Sequence, residues 1–139
     1  MKTSTLMPLG VLTKFASKAL LVVACVIGAA TVLLAAFVAH MAESLNPAAL
    51  RSVQSAMQMQ QFHVLALLVV SAIAVLHTPS KTLLAAGVLI LLGLLMFSLN
   101  ILAWQLAGVG SFKSVIPYGG MAFVAGWLSL AVWAWRLKH

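Results

Sequence analysis

The side chains best placed for chemistry in this chain are neutral and polar. Val53, Ala56, Gln60, His63 and Leu67 follow one another at steps of three, four, three and four. That spacing puts a carboxamide and an imidazole on one apolar helix face. Such groups can bond across helices, hold a polar ligand, or contribute to a metal site. His40, Asn100, Pro117 and Tyr118 are further candidates at the ends of other apolar runs. Glu43 is the single acid, so no carboxylate pair exists for acid–base work, and a proton relay lacks its acids. Neither Gly-x-Ser-x-Gly nor His-Glu-x-x-His occurs. Cys25 is the only cysteine, which rules out an internal disulfide and a thiolate metal set. Two imidazoles without a third ligand fall short of what zinc takes. The expectation is no catalytic residue, no metal and no cofactor.

The elements that position these residues follow from composition. Of 139 residues, 64% are hydrophobic and 6% are charged, against about 25% charged in soluble domains. A water-facing surface cannot be made from so few charges, so soluble domains and disordered linkers are excluded. The net charge of +7 is spread singly along the edges of apolar runs, without the basic cluster that nucleic acid requires. Four helical spans are predicted, at about 19–39, 59–76, 82–106 and 115–135, each long enough for a hydrocarbon core of ~30 Å. Residues 1–14 read as a loop-like cytoplasmic segment, and 15–139 as one all-α transmembrane domain. Val22-Val23-Ala24-Cys25 loosely resembles a lipobox, but the apolar run continues well past it, so the first span reads as a retained anchor.

Four spans place both termini on one side. Lys2, Lys14, Lys18, Lys81, Arg136 and Lys138 then share a side, and Arg51 and Lys113 face the other. The bias puts both ends on the cytoplasmic side. Trp133 and Trp135 beside Arg136 read as an interfacial anchor. Asn46-Pro47 reads as an N-cap followed by Pro at the first helical position. The helix from Pro47 to His77 would measure about 46 Å, so its amphipathic start, Ala48 to about Gln58, must protrude or bend along the surface. Arg51, Gln54, Gln58 and Gln61 lie on its polar face; Leu50, Val53 and Met57 lie on the apolar one.

Small residues mark the packing seams: Ala24, Gly28, Thr31 and Ala35 in the first span, Ala86, Gly93 and Asn100 in the third, Gly119, Ala122, Gly126 and Ser129 in the fourth. A repeat near 3.5 predicts a left-handed four-helix bundle. Counting depth from the span ends brings His40, Gln60, His63, Asn100, Pro117 and Tyr118 to one level in the outer half. Thr31, Ser71 and Ser129 are left as lone polar groups in the inner half. The plainer reading is a hydrogen-bonded network fixing the bundle's register; the sharper one is a site for a polar headgroup, a quinone ring or a metal ion. Met57 and Met59 read as core filler, and Trp104 and Trp127 as packing or interface residues.

Several of these segments resemble one family. Ala35-Ala36-Phe37-Val38-Ala39-His40 resembles the Gly-Ala-Phe-Gly-Ala-His helix end of the DUF423 family of small bacterial inner-membrane proteins. Gln60-Gln61-Phe62-His63-Val64-Leu65-Ala66-Leu67-Leu68 is similar to its Tyr-Gln-x-x-His-Ala-Leu-Ala-Leu-Leu motif. Phe97-Ser98 is similar to its Phe-Ser-Gly-Ser element, and Pro117-Tyr118-Gly119-Gly120 with Phe123, Gly126 and Trp127 to its Thr-Pro-x-Gly-Gly and Gly-Trp motifs. Met59 stands in place of a Tyr, Val38 and Leu99 in place of glycines, Asn100 in place of a Ser, and Ile116 in place of a Thr. The resemblance implies a four-helix inner-membrane protein and brings no activity, substrate or cofactor. The expected function is a non-enzymatic accessory or structural subunit, in contact with lipids and with a larger membrane complex. The alternative is a small binder or carrier of a lipid-like or quinone-like molecule.

Overall fold

A computed structural model describes residues 9–77, 80–109 and 112–137. Residues 1–8, Pro79, Gly110 and Lys138, which entered the reading of the leading segment, the turns and the charge bias, lie outside the described residues. Among the described residues, four helices are long and apolar enough to cross a membrane. They are α1 (Leu9–Met41), α2 (Pro47–Leu76), α3 (Lys81–Ala107) and α4 (Ile116–Trp135). All four predicted spans are present; α1 extends beyond the predicted limits at both ends, α2 at its start and α3 by one residue at each end, while α4 keeps within them.

α1 starts earlier than the sequence implied, and residues 9–14 are helical. A single glycine weakens a helix without ending it. Here Gly10 is followed by Val11, Leu12 and Phe15, which continue the outward apolar surface. α2 starts as expected. The Asn46 side chain accepts from the Ala49 amide at 2.8 Å, and Pro47 occupies the first turn. Ser80 caps α3 in the same way, accepting from the Leu83 amide at 3.1 Å. α3 ends at Gly108, whose φ of +64° is the left-handed conformation glycine adopts most readily.

The amphipathic start of α2 does not stand free. Val53, Ala56 and Met57 are buried against Val38 of α1 and Leu102 of α3. Val38 and Leu102 lie within the first and third predicted spans, so the start of α2, read as an extension outside its span, packs against the bundle itself. α2 and α3 form the centre, with α1 packed along α2 and α4 along α3. α4 also reaches α2 near Phe62 and His63.

The core falls into two apolar clusters. One contains Val38, Val53, Ala56, Met57 and Leu102. The other runs from Val64 through Leu67, Val70, Leu83 and Ile90, and includes Phe123. Gln60 and His63 lie between them. Outward-facing side chains such as Phe15, Val32, Leu33 and Leu128 are apolar and exposed, as a lipid-facing surface requires.

α3 holds one irregularity that the sequence reading did not anticipate. Residues Leu94–Leu99 are π-helical, between α-helical segments on either side. A π-turn adds about one residue to the local turn, so side chains beyond it rotate relative to those before. The buried face passes from Ile90 through Leu94 and Ser98 to Leu102. Asn100, seven residues after Gly93, therefore leaves the seam.

Candidate functional site

Gln60 and His63 are 6% and 4% exposed. The seam inferred from their spacing is present. Their partners differ from those that depth counting suggested. The Gln60 Nε2 donates to Thr31 Oγ1 at 2.7 Å, and the Thr31 hydroxyl donates to the Ile27 carbonyl at 2.7 Å. A carboxamide, a hydroxyl and a main-chain carbonyl thus tie α2 to α1. Depth counting had put Thr31 in the inner half and Gln60 at the outer edge of a span begun at Met59. α2 instead starts at Pro47, which sets Gln60 well inside the helix, level with Thr31.

His63 is held on every side. Its Nδ1 lies 2.8 Å from the Met59 carbonyl, and the Trp127 indole N–H points at its Nε2 at 3.3 Å. A carbonyl can only accept, so Nδ1 carries the proton. Nε2 is then free to accept from the indole, and the imidazole is neutral. The His63 ring stacks on Phe123, with centroids 3.6 Å apart and planes 19° from parallel. Phe62 meets it edge-on at 5.1 Å and stacks on Trp127 at 5.5 Å. These contacts clamp α2 to α4. Trp127, read from sequence as a packing or interface residue, is also the hydrogen-bond donor that fixes the imidazole tautomer.

Glycines let α3 and α4 approach at this level. A side chain at Gly93 would collide with the Phe123 ring. A Cβ at Gly119 would lie 2.6 Å from the Phe97 amide nitrogen, within the π-turn, and one at Gly126 would lie 2.9 Å from Ile90. The small-residue stripe of the fourth span is therefore its contact with α3. The π-turn and Gly119 fit together: the widened backbone of α3 rests where α4 lacks a side chain. Inside that turn, Ser98 is fully buried, and its Oγ has no hydrogen-bond partner.

The other candidates lie elsewhere. Asn100 Nδ2 donates to the Phe112 carbonyl at 2.9 Å, tying the end of α3 to the approach to α4. Lys113 Nζ lies 4.0 Å over the Trp104 ring in the same corner. His40, Pro117 and Tyr118 are exposed. The six residues expected at one level thus divide into a buried pair, Gln60 and His63, a corner strap at Asn100, and surface positions. Among the described residues, no three His, Cys, Asp or Glu side chains come together.

A groove runs between α1 and α2 on the outer surface. Its lower part, of about 310 Å³, is lined by Gly28, Thr31, Val32, Ala35, Gln61, Val64 and Leu65. Its upper part, of about 460 Å³, shares Ala35 and Gln61 and adds Leu50, Gln54 and Gln58. Sequence reasoning placed the three glutamines on a polar face without seeing that they wall a groove, because the opposite wall comes from another helix.

Comparison with known proteins agrees with this architecture. The UPF0382 inner membrane protein YgdD of Escherichia coli (strain K12) is 32% identical over 124 residues, covering 88% of this chain and 94% of that protein. A UPF0382 membrane protein of Haemophilus influenzae is 32% identical over 108 residues, covering 77% and 86%. No solved structure matches the chain. The family described as "Protein of unknown function (DUF423)" matches residues 34–120, which include Gln60, His63, the π-turn and Gly119. With four apolar helices and relatives of this kind, the chain is a multi-pass inner-membrane protein belonging to the DUF423 family.

Proposed function

We propose that this protein is a non-enzymatic accessory or structural subunit that stands beside a larger complex in the membrane. One observation carries the reading. His63, the buried ionisable side chain at the centre of the bundle, has both ring nitrogens engaged, by the Met59 carbonyl and the Trp127 indole. An imidazole held in this way stabilises an arrangement of helices and is not presented to a substrate. Gln60 is likewise engaged by Thr31. In this reading the bundle crosses left-handed, as the repeat near 3.5 favours. Both termini are cytoplasmic, following the basic residues, so the α1–α2 connection faces outward.

The test is affinity purification in mild detergent at native expression, followed by native gel analysis and identification of stoichiometric components. A defined assembly of constant composition is expected, and it should dissociate when the bundle is destabilised. A chain that migrates as a monomer in every mild detergent overturns the proposal.

A second reading, binding of a lipid-like or quinone-like molecule, is favoured by a different feature: the amphipathic groove between α1 and α2, with its apolar lower part and amide-lined upper part.

A further inference from the structure

We propose that the α1–α2 groove binds one glycerophospholipid. An acyl chain lies along Gly28, Val32 and Val64, and the phosphodiester end is held by Gln61, Gln58, Gln54 and Arg51. The inference rests on the second reading above and names its ligand.

The groove is continuous, since its lower and upper parts share Ala35 and Gln61. Its lower part is open because Gly28 carries no side chain; a Cβ there would already touch Val64 at 3.6 Å. Its upper wall is a ladder of amides on one α2 face, at Gln54, Gln58 and Gln61. Gln60, one position away, bonds to Thr31. Among the described residues the three ladder amides have no hydrogen-bond partner, and all three are exposed. Gln61 also lines the apolar lower part of the groove, where a free amide is costly unless a ligand supplies hydrogen-bond partners.

The chemistry of the ladder selects the ligand. At 1.5 Å per residue, Gln61 to Arg51 spans about 15 Å along the helix. A quinone ring presents two carbonyls and needs no cation. A glycerophospholipid presents ester carbonyls and then a phosphate over a longer stretch. The exposed Arg51 stands one turn beyond Gln54 on the same face, and guanidinium groups favour phosphate. The order also agrees with membrane depth, with the apolar end toward the middle of the helices and the amide end toward the α1–α2 connection.

The experiment uses the full chain in vesicles of phosphatidylethanolamine and phosphatidylglycerol, doped with phosphatidylglycerol carrying a diazirine in one acyl chain. After illumination, labelled peptides are mapped by mass spectrometry. Labelling at residues 28–35 and 64–65 is expected to exceed that at the exposed Val22 and Leu128 by about tenfold, equivalent to roughly 1.4 kcal/mol of preference. Unlabelled phosphatidylglycerol should compete, whereas diacylglycerol, with the same tails and no phosphate, should not. Val32→Trp narrows the groove from its exposed rim and should remove the enrichment; Val22→Trp, on the same helix outside the groove, should leave it. Replacing Gln54, Gln58 and Gln61 by Leu should abolish the advantage over diacylglycerol. Equal competition by diacylglycerol, stronger competition by a quinone, or an unchanged pattern in Val32→Trp overturns the proposal. Selective labelling of another face overturns the groove but keeps the lipid-binding reading. Uniform labelling of all lipid-facing surfaces overturns both.

Discussion

Trp127 donates its indole N–H to His63 Nε2 across 3.3 Å, and this one bond joins the second and fourth helices at the level where two apolar cores meet. It selects the neutral Nδ1–H tautomer, which in turn donates to the Met59 carbonyl. The stack of His63 on Phe123 and the contact of Phe123 with Gly93 extend the same junction into the third helix. Several residues that carry the family resemblance, from separate stretches of sequence, therefore meet in one place.

The bond can be isolated by a double-mutant cycle. Trp127→Phe keeps an aromatic ring but leaves Nε2 of a buried imidazole unpartnered, and should lower stability by about 1 kcal/mol, within the range for interhelical bonds in membranes. In a His63→Phe background the ring can still stack on Phe123 and no acceptor remains. The same Trp127→Phe change should then cost within about 0.3 kcal/mol of nothing. Reversible unfolding in mixed micelles measures both. An equal cost in the two backgrounds would show that the bond contributes nothing.

The Gln60–Thr31 pair makes a contrasting case. Thr31→Val removes the acceptor and strands the buried Gln60 amide, so it should destabilise by about 1–2 kcal/mol. Gln60→Leu removes the group that needs a partner and should cost less. With both changes present the interface becomes apolar at nearly the same volume, and stability should recover most of the loss caused by Thr31→Val alone. The same unfolding assay applies, and a double variant worse than either single change would contradict the assignment.

Glycine replacements test the contact between the third and fourth helices. Gly119→Ala drives a methyl group into the backbone of the π-turn, which cannot rotate away, and a loss of about 2–3 kcal/mol is expected. Gly93→Ala meets the Phe123 ring, which can shift only by leaving its stack on His63. Gly120→Ala meets nothing within 4 Å and should be neutral or slightly stabilising, since alanine suits a helix better. Thermal inactivation in detergent should rank the variants Gly120→Ala above Gly93→Ala above Gly119→Ala. A Gly119→Ala chain as stable as the parent would mean that the close approach does not hold.

What could be read from sequence depended on how local the cause was. The spans followed from continuous apolar runs, and helix ends from Asn46-Pro47 and Gly108, because each signal acts within a few residues. The seam through Gln60 and His63 followed from helical period for the same reason. Partners were harder. Thr31 was assigned the wrong depth although it lies past the middle of the predicted first span, and beginning the second span at Met59 hid the stretch of α2 from Pro47 that sets Gln60 well inside the helix. Asn100 followed Ala86 and Gly93 at sevens on paper. The π-turn at Leu94–Leu99 shifts that register, and no residue type announces it. The groove needs two helices at once, and only the α2 wall was legible.

Asn100 gives the sharpest separation between a single polar cluster and the divided arrangement described here. Its amide donates to the Phe112 carbonyl, in the corner where Lys113 covers Trp104, and it makes no bond to Gln60 or His63. Asn100→Leu should therefore free the approach to the fourth helix while leaving the bundle interior intact. Amide hydrogen exchange around Phe112 to Val115 is expected to rise about tenfold, as the loss of one hydrogen bond near 1.4 kcal/mol would produce. Protection of the second helix around Gln60 and His63 should stay unchanged. Combined with Trp127→Phe, the effects on stability should add, because the two sites share no partner. Were Asn100 part of the same network, the two changes would couple and protection around His63 would fall with the single Asn100 variant. Retained protection in the second helix, with loosening confined to the corner, would fix Asn100 as a strap and leave His63 and Trp127 as the junction of the bundle.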